Sequence, residues 1–271
     1  MSLLLHISDA HFGTEREPVV AALLTLADER KPDVLIFSGD VTQRARADQF
    51  AAARRFCDQL GIRTMMVVPG NHDIPLFNLA ARISRPYRGY LKAFGPTMEP
   101  VIDSAALLAI GVNTTRATRH KNGVVSTRQI ESVAQRLSGA GPGQLRIVVT
   151  HQPAAVCRTE DEHDRLRGAE PALQAWSRAG ADLVLGGHIH LPYVLDLVKR
   201  PVPTPRPMWC VQAGTAVSAR VRHGTSNSVN LIHWKPGAAG APRTCEVERC
   251  DYGATVQRFV TTEVERLLLG S

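Results

Sequence analysis

Five short apolar runs of the 271-residue chain each lead directly into aspartate, histidine or asparagine residues. Runs of this length, rich in Val, Ile and Leu, are typical of buried strands. In an open α/β sheet, sites form at the carboxyl ends of the strands, so we expect these polar residues to meet. They are Asp9 and His11, Asp40, Asn71 to Asp73, His151, and His188 and His190.

Strands and helices alternate in the first two thirds of the chain, which predicts an α/β fold. Strands are expected at 3–7, 34–38, 64–68, 106–112, 146–150 and 183–186, and helices at 19–30, 47–60, 79–94, 127–137 and 170–179. After Gly187 the strand candidates 193–198, 208–212, 229–234 and 244–252 follow without helices, which predicts a second, partly antiparallel sheet. Because the Pro- and Gly-rich stretches 200–207 and 236–242 have the length of loops, we expect one domain over 1–271, built from two packed sheets.

The composition excludes several classes of protein. With 44% hydrophobic and 21% charged residues the chain is expected to fold, and no apolar run approaches the roughly 18 residues of a membrane span. Residues 1–7 lack a cationic start typical of a signal peptide, and the five cysteines contain no C-x-x-C pair, so we expect a cytoplasmic protein. The net charge of +7, with arginines scattered along the chain, favours an anionic substrate as well as nucleic acid.

The residue types favour metal chemistry. Imidazole and carboxylate groups without thiolate suit Mn, Fe or Zn, whereas an all-oxygen Mg²⁺ site would not need so many histidines. In an extended segment residues i and i+2 face the same side, so Asp9 with His11, and His188 with His190, can each serve one ion or two neighbouring ions. Glycines 39, 70, 186 and 187 allow close approach of these groups. The ligands outnumber the positions on one ion, so two divalent or trivalent transition-metal ions are expected.

The ordered motifs Asp9-x-His11, Gly39-Asp40, Gly70-Asn71-His72-Asp73, His151 and Gly187-His188-x-His190 resemble the signature of the calcineurin-like metallophosphoesterase superfamily. The resemblance covers residues 3 to about 190. Because histidine is kept in Gly-Asn-His-Asp, the chain is most similar to the bacterial class III cyclic-nucleotide phosphodiesterase-like branch. The lipid A pathway pyrophosphatases, in which arginine commonly replaces this histidine, resemble it less.

The resemblance implies a four-layer αββα sandwich of two packed mixed sheets flanked by helices, and it implies a role for each motif residue. One ion would be bound by Asp9, His11, Asp40 and His190, and the other by Asp40, Asn71, His151 and His188. Asp40 would bridge the ions, and a bridging hydroxide would attack the phosphorus. His72 would protonate the leaving alkoxide, with Asp73 available either to orient the His72 ring or to cap the following turn.

The expected function is therefore dinuclear metal-dependent hydrolysis of a phosphodiester or phosphomonoester of a small metabolite, with a 3′,5′-cyclic nucleotide as the leading candidate. A small phosphorylated substrate is expected, with no membrane or nucleic-acid partner. One alternative is a nuclease or DNA-repair phosphoesterase of the same superfamily, which the charge of +7 would suit although no contiguous Lys/Arg stripe is present. The other alternative is a non-catalytic interaction module. A homodimer that pairs through the strand-rich segment after residue 190 is a further hypothesis.

Several residues outside the motifs have two open interpretations. Five arginines near the motifs, Arg44, Arg46, Arg82, Arg85 and Arg88, either bind substrate phosphate or form a solvated face. Tyr87 or Tyr90 either stacks on a base or packs in the core. We expect the segment 158–167 to form a loop beside the site, and the remaining histidines to be structural or solvated, namely His6, His120, His163, His223 and His233.

Overall fold

A computed structural model describes residues 2–236 and 241–270 and contains two six-stranded mixed sheets. In the first sheet β1, β2 and β3 are parallel, and the three C-terminal strands run antiparallel to their neighbours. Its spatial order is β12 (Arg258–Leu268), β11 (Thr244–Gly253), β10 (Ser228–Trp234), β1 (Ser2–Ile7), β2 (Val34–Phe37) and β3 (Thr64–Val67).

The second sheet has a parallel centre and an antiparallel strand at each edge. Its spatial order is β4 (Val101–Asp103), β5 (Leu107–Gly111), β6 (Leu145–Val149), β7 (Leu183–Gly186), β9 (Trp209–Gln212) and β8 (Tyr193–Asp196). The expectation that the strands after Gly187 form a sheet of their own is wrong. Strands β8 and β9 complete this sheet, whereas β10 to β12 extend the first sheet. Apolar alternation identifies a strand's buried face but not its partner.

In the described part of the chain six α-helices connect the strands: α1 (Glu17–Arg30), α2 (Ala47–Gln59), α3 (Leu79–Ser84), α4 (Arg88–Phe94), α5 (Thr127–Ser138) and α6 (Ala169–Arg178). Short 3₁₀ helices occupy Asn71–Asp73, Thr159–Asp164 and Leu197–Lys199. The helix expected over 79–94 is divided in two. Pro86 has no N–H group to donate and disfavours a helical conformation at Arg85, where α3 ends.

The core consists of three apolar layers, one between the sheets and one on each outer face. Side chains such as Leu4, Ile36 and Ile147 fill the space between the sheets. Helices α1, α2 and α4 cover the outer face of the first sheet, and α5 and α6 cover the second, where Trp176 is fully buried. This arrangement confirms the four-layer αββα sandwich.

The C-terminal third contains a strand that the sequence did not reveal. In β12 most side chains are exposed and several are charged, so the apolar pattern of a buried strand is absent. The stretch 200–207 is a loop, as expected, and the expected loop at 236–242 lies mostly outside the described residues. Within the ranges 2–236 and 241–270, no helix has the length and apolar character that crossing a membrane requires.

Candidate metal centre

The candidate ligands lie in tight turns at the carboxyl ends of the parallel strands of both sheets. Asp9 and His11 follow β1, and Asp40 follows β2. These three residues have left-handed backbone conformations, with φ of 52°, 44° and 49°, and His188 and His190 after β7 also have positive φ. Such values are uncommon for residues other than glycine and concentrate at functional sites. Asp9 and His11 therefore converge through a turn, and not through the extended segment expected from their spacing.

Two glycines permit close approach of the turns at this point, Gly187 between the two sheets and Gly70 between the ends of β2 and β3. A Cβ on Gly187 would overlap Ser8 Oγ and Asp9 Oδ2, and a Cβ on Gly70 would overlap the main-chain nitrogen of Asp40. The main-chain nitrogen of His188 donates to Asp9 Oδ2 at 2.9 Å and so joins the end of β7 to the end of β1. The close approach expected from the glycines is thus present at these two positions.

Asp9, His11 and His190 form the first group of candidate ligands, with one ligand atom of each within 4.8 Å of the others. The Nε2 atoms of His11 and His190 are 3.2 Å apart, and Asp9 Oδ1 lies 3.3 Å from His190 Nε2. Asp9 Oδ1 is buried and has no hydrogen-bond donor among the described residues. A buried carboxylate oxygen without a donor costs free energy unless a cation compensates it.

Asp40, His151 and His188 form the second group, again within 4.8 Å of one another. His151 Nε2 lies 3.3 Å from Asp40 Oδ1, 3.3 Å from His188 Nδ1 and 3.1 Å from Asn71 Oδ1. Asp40 also faces the first group, since its Oδ2 is 3.7 Å from His11 Nε2. His188 and His190, two residues apart in the sequence, thus belong to different groups.

Hydrogen bonds on the far side of the imidazole rings orient the ligand nitrogens. His151 Nδ1 donates to the carbonyl oxygen of Ser38 at 2.9 Å, and His190 Nδ1 donates to the carbonyl oxygen of Arg220. With Nδ1 as the donor, the Nε2 lone pair of each ring points into the cluster. His188 is reversed, because its Nδ1 faces the cluster and its Nε2 lies 3.7 Å from Asp164 Oδ1. Nitrogen lone pairs and carboxylate oxygens that face one another fit transition-metal ions.

The electrostatics of the cluster are dominated by Asp40 and His151, which are buried side by side. Burial disfavours the charged form of both groups, but their attraction outweighs it. It raises the pKa of His151 to about 9, and His151 together with His72 holds the pKa of Asp40 well below its ordinary value. Burial lowers the pKa of His188. Without a cation beside it, the cluster therefore favours a buried ion pair between Asp40 and His151 over the neutral forms of these two groups.

His72 lies at the pocket side of the cluster. Its Nδ1 donates to the carbonyl oxygen of Gln43 at 3.0 Å, and its Nε2 faces Arg220 Nη1 at 3.4 Å. The His72 ring also lies within ligand distance of His11 and Asp40, so the geometry allows both a proton-transfer role and a ligand role.

Asp73 does not orient the His72 ring. Its carboxylate accepts hydrogen bonds from the main-chain nitrogens of Val41, Thr42 and Gly70 and from the Thr42 hydroxyl. Of its two expected roles, capping is therefore the one that the structure supports.

A pocket of about 340 Å³ opens beside the cluster, and it contains residues that the sequence motifs did not indicate. Arg220 extends into it, and its Nη1 donates to Gln43 Oε1 at 2.8 Å. The exposed His120, which was expected to be structural or solvated, also lines the pocket. Arg220 lies in the loop after β9 and His120 in the loop between β5 and α5, and only the fold brings them to the site. The pocket is lined by Asp40, Gln43, Arg44, Asn71, His72, His120, Lys121, His188, His190 and Arg220.

Other sequence candidates have structural contacts. The buried Tyr90 donates to the carbonyl oxygen of Val67 at 2.6 Å, so it packs in the core. Arg82 donates to the carbonyl oxygens of Pro75 and Arg119 and joins two loops. The segment 158–167 lies beside the site, as expected.

Asp164 is the residue of that segment that contacts the candidate ligands. It lies between His188 and Lys121, whose Nζ is 2.7 Å from Asp164 Oδ1. Burial acts against its charged form, but these two neighbours lower the pKa of Asp164.

Comparison with known proteins gives the family of the chain and the same fold. The family model described as "Calcineurin-like phosphoesterase" matches residues 3–192. A glycerophosphodiester phosphodiesterase from Enterobacter lignolyticus is 26% identical over 164 residues, which cover 56% of this chain and 57% of that protein. A probable cyclic nucleotide phosphodiesterase from Synechococcus is 24% identical over 197 residues, 72% of each chain. The chain thus spans little more than half the length of the first of these curated relatives.

Two solved structures share the fold at low sequence identity. A purple acid phosphatase from yellow lupin seeds has a TM-score of 0.70 at 11% identity, with 98% of this chain and 53% of that chain covered. A dimetal phosphatase from Danio rerio has a TM-score of 0.65 at 12% identity, with 99% of both chains covered. The αββα sandwich is thus an architecture that this chain shares with other proteins.

Proposed function

Because the chain belongs to the calcineurin-like phosphoesterase family, as the match over residues 3–192 shows, we propose that it is a metal-dependent phosphoesterase with a dinuclear centre. The observation that carries the proposal is the pair of ligand groups at the ends of β1, β2, β6 and β7. Asp40 takes part in one group and faces the other. A carboxylate in that position suits a ligand shared by two ions.

The proposed substrate is a phosphodiester of a small metabolite. Two relatives, a glycerophosphodiester phosphodiesterase and a probable cyclic nucleotide phosphodiesterase, are named for different organic groups but for the same phosphodiester linkage. A 3′,5′-cyclic nucleotide remains the first candidate, and glycerophosphodiesters are the second. The pocket volume of about 340 Å³ is sufficient for either compound.

Seven residues would bind the metals. Asp9, His11 and His190 would bind one ion, Asn71, His151 and His188 the other, and Asp40 both. Bound transition-metal ions polarise phosphoryl oxygens and lower the pKa of water, so that hydrolysis needs no covalent enzyme intermediate. Mn, Fe and Zn are the candidates, because the set combines imidazole and carboxylate groups.

His72 and Arg220 supply the remaining groups. The carbonyl oxygen of Gln43 accepts from Nδ1 and holds the His72 ring with Nε2 towards the pocket, so that the doubly protonated ring would transfer its Nε2 proton to a leaving alkoxide. The Arg220 guanidinium has no carboxylate partner within the described ranges and lines the same pocket. We assign it to a non-bridging phosphate oxygen, since guanidinium groups bind phosphate through forked hydrogen bonds.

Elemental analysis combined with a substrate panel tests the proposal. Metal-loaded protein is expected to contain two ions per chain and to hydrolyse bis-p-nitrophenyl phosphate faster than p-nitrophenyl phosphate. Cyclic nucleotides, glycerophosphodiesters and single-stranded DNA complete the panel. A metal content near zero would refute the dinuclear site, and a preference for the monoester would refute the diester assignment. Activity on DNA alone would instead favour the nuclease alternative.

A further inference from the structure

The loop and short helix that follow Asn71–Asp73 expose large apolar side chains beside the pocket. Phe77 is 78%, Leu79 66% and Ile83 84% exposed, the three highest exposed fractions among the large hydrophobic residues of the described ranges. Together they expose roughly 400 Å² of apolar surface, which on a protein surface commonly marks an interaction site. We call these three residues the apolar face.

The chain around the apolar face contains no acidic residue. Segments 74–98 and 104–130 contain eight Lys and Arg residues and no Asp or Glu. Of the 32 Lys and Arg residues, 24 lie elsewhere, together with all 25 Asp and Glu residues, so the rest of the chain has a net charge of −1. These two segments therefore carry a charge of +8, although arginines also occur throughout the rest of the chain.

Contacts between the two segments bring some of their basic residues together, among them Arg82 and Arg119. Arg82 Nη2 donates to the carbonyl oxygen of Arg119 at 2.9 Å, and the Tyr87 hydroxyl is 2.8 Å from Thr115 Oγ1. A third cation adjoins the apolar face, since the Arg44 guanidinium lies 5.4 Å from the centre of the Phe77 ring. One of the eight cations, Lys121, is already paired with Asp164 at 2.7 Å.

The apolar face adjoins the site itself. Leu76, one residue before Phe77, lines a small cleft together with Asn71, His72 and His120. A surface that binds Phe77, Leu79 and Ile83 would therefore lie next to the pocket mouth.

From this juxtaposition of exposed apolar side chains with Arg44, Arg82 and Arg119, we propose that the apolar face docks on an anionic lipid bilayer surface. Bilayer interfaces accept Phe, Leu and Ile side chains at the level of the head groups, while Lys and Arg contact anionic lipids. Nucleic acid would match the charge but offers little surface in which Leu79 and Ile83 can be buried. The sequence-based expectation of no membrane partner rests on the lack of a membrane-spanning segment. Peripheral docking on a bilayer surface does not need such a segment.

Vesicle co-flotation of the full chain tests the docking. Vesicles of phosphatidylcholine alone are compared with vesicles that contain about one third phosphatidylglycerol, and the wild type is expected to bind the anionic vesicles at least about tenfold more tightly. Leu79→Ser/Ile83→Ser is expected to weaken this binding about tenfold or more. Arg85→Gln/Arg119→Gln is expected to reduce the preference for anionic vesicles.

Val264→Ser/Leu268→Ser is the matched control, since it removes two exposed apolar side chains from β12, at the opposite edge of the first sheet from β3. It should bind as the wild type does. Urea unfolding shows whether each variant is folded. The binding readout requires no turnover, so its failure leaves the proposed hydrolysis untouched.

Four outcomes would overturn the proposal. The first is absence of binding to anionic vesicles, and the second is binding that neither pair of substitutions changes. The third is complete competition by a single-stranded oligonucleotide that the Leu79→Ser/Ile83→Ser variant still binds. The fourth is a wild-type dimer in light scattering that this variant converts to monomers. The third outcome would identify a nucleic-acid surface. The fourth would identify an interface between two copies of the chain.

Discussion

Replacement of His72 by alanine separates proton transfer from metal binding. The side chain makes two polar contacts, from Nδ1 to the Gln43 carbonyl oxygen at 3.0 Å and from Nε2 to Arg220 Nη1 at 3.4 Å. The contact of this residue with Asp40 is made by its main-chain nitrogen, which donates to Asp40 Oδ1 at 2.8 Å and is kept in the variant. His72→Ala should therefore retain both ions.

The expected loss of activity depends on the leaving group. A positioned general acid contributes about 10²- to 10⁴-fold, which corresponds to about 3 to 5 kcal/mol of barrier at 1.4 kcal/mol per factor of ten. A ribose or glycerol alkoxide needs a proton in the transition state, so kcat on such substrates should fall by that factor. Nitrophenolate leaves with little assistance, so kcat on a nitrophenyl diester should fall much less.

The assay measures kcat for both substrate classes, together with the metal content, for wild type and variant. His120→Ala is the control, because His120 lines the same pocket and is exposed. It should change the two kcat values equally or not at all. Equal losses on both substrates in His72→Ala would mean that the ring only positions phosphate. Loss of one ion would mean that His72 is a ligand, which its distance from His11 and Asp40 permits.

Three further predictions concern other residues. Asp40→Ala should abolish binding of both ions in elemental analysis, because Asp40 faces both groups, and loss of a single ion would contradict its shared position. Arg220→Ala should lower kcat/KM about tenfold to 100-fold, with most of the effect in KM, as loss of a charged hydrogen bond predicts. Arg220→Lys should recover part of the lost kcat/KM, and an unchanged KM in Arg220→Ala would refute the phosphate contact. The Arg30 guanidinium lowers the pKa of Glu248 from 4.5 to about 2, so the stabilisation from this ion pair is complete above pH 4.5 and is lost as the pH falls towards 2. Because Arg30 is 32% exposed, we expect the free energy of unfolding in urea to fall by about 1 to 2 kcal/mol over this range. An unchanged acid dependence in Glu248→Gln would refute this.

The sequence predicts the buried centre of the fold well because local patterns determine it. Strands β2 and β7 are short apolar runs with no polar face, since helices or the other sheet cover both sides, and β3 and β6 are apolar apart from Thr64 and Arg146. Helix α5 was equally evident, with Ser126 as its N-cap and Gln129 completing the capping box. These elements start and end within about two residues of the expected positions.

The partners of the C-terminal strands could not be predicted in the same way. Strand β10 lies beside β1 with Leu231 opposite Leu5 and Ile232 opposite Leu4, although more than 200 residues separate them in the chain. Both β9 and β10 are apolar, and nothing in their sequences distinguishes the sheet that each one joins. Long-range pairing depends on which surface remains uncovered after the other elements have packed.

The candidate site shows the same division between motif residues and their surroundings. Residue types and strand ends indicated Asp9, Asp40 and the histidines, because metal chemistry restricts which side chains can serve. Arg220 and His120 lie in loops without a comparable restriction, and each reaches the pocket only through the packing of distant segments. Arginine is common on any surface, so its charge alone does not distinguish a phosphate contact from a solvated residue.

The backbone at the site explains why the convergence itself is not visible in the sequence. Left-handed conformations at Asp9, His11, Asp40, His188 and His190 cost about 1 kcal/mol or more each and persist only where surrounding contacts require them. Those contacts cross between the sheets, from the His188 nitrogen to Asp9 and from the His151 ring to the Ser38 carbonyl oxygen. The apolar layer between the sheets must therefore be formed before the ligands can adopt these conformations. It follows that a substitution which loosens that layer, far from any ligand, should weaken metal binding before it unfolds the protein.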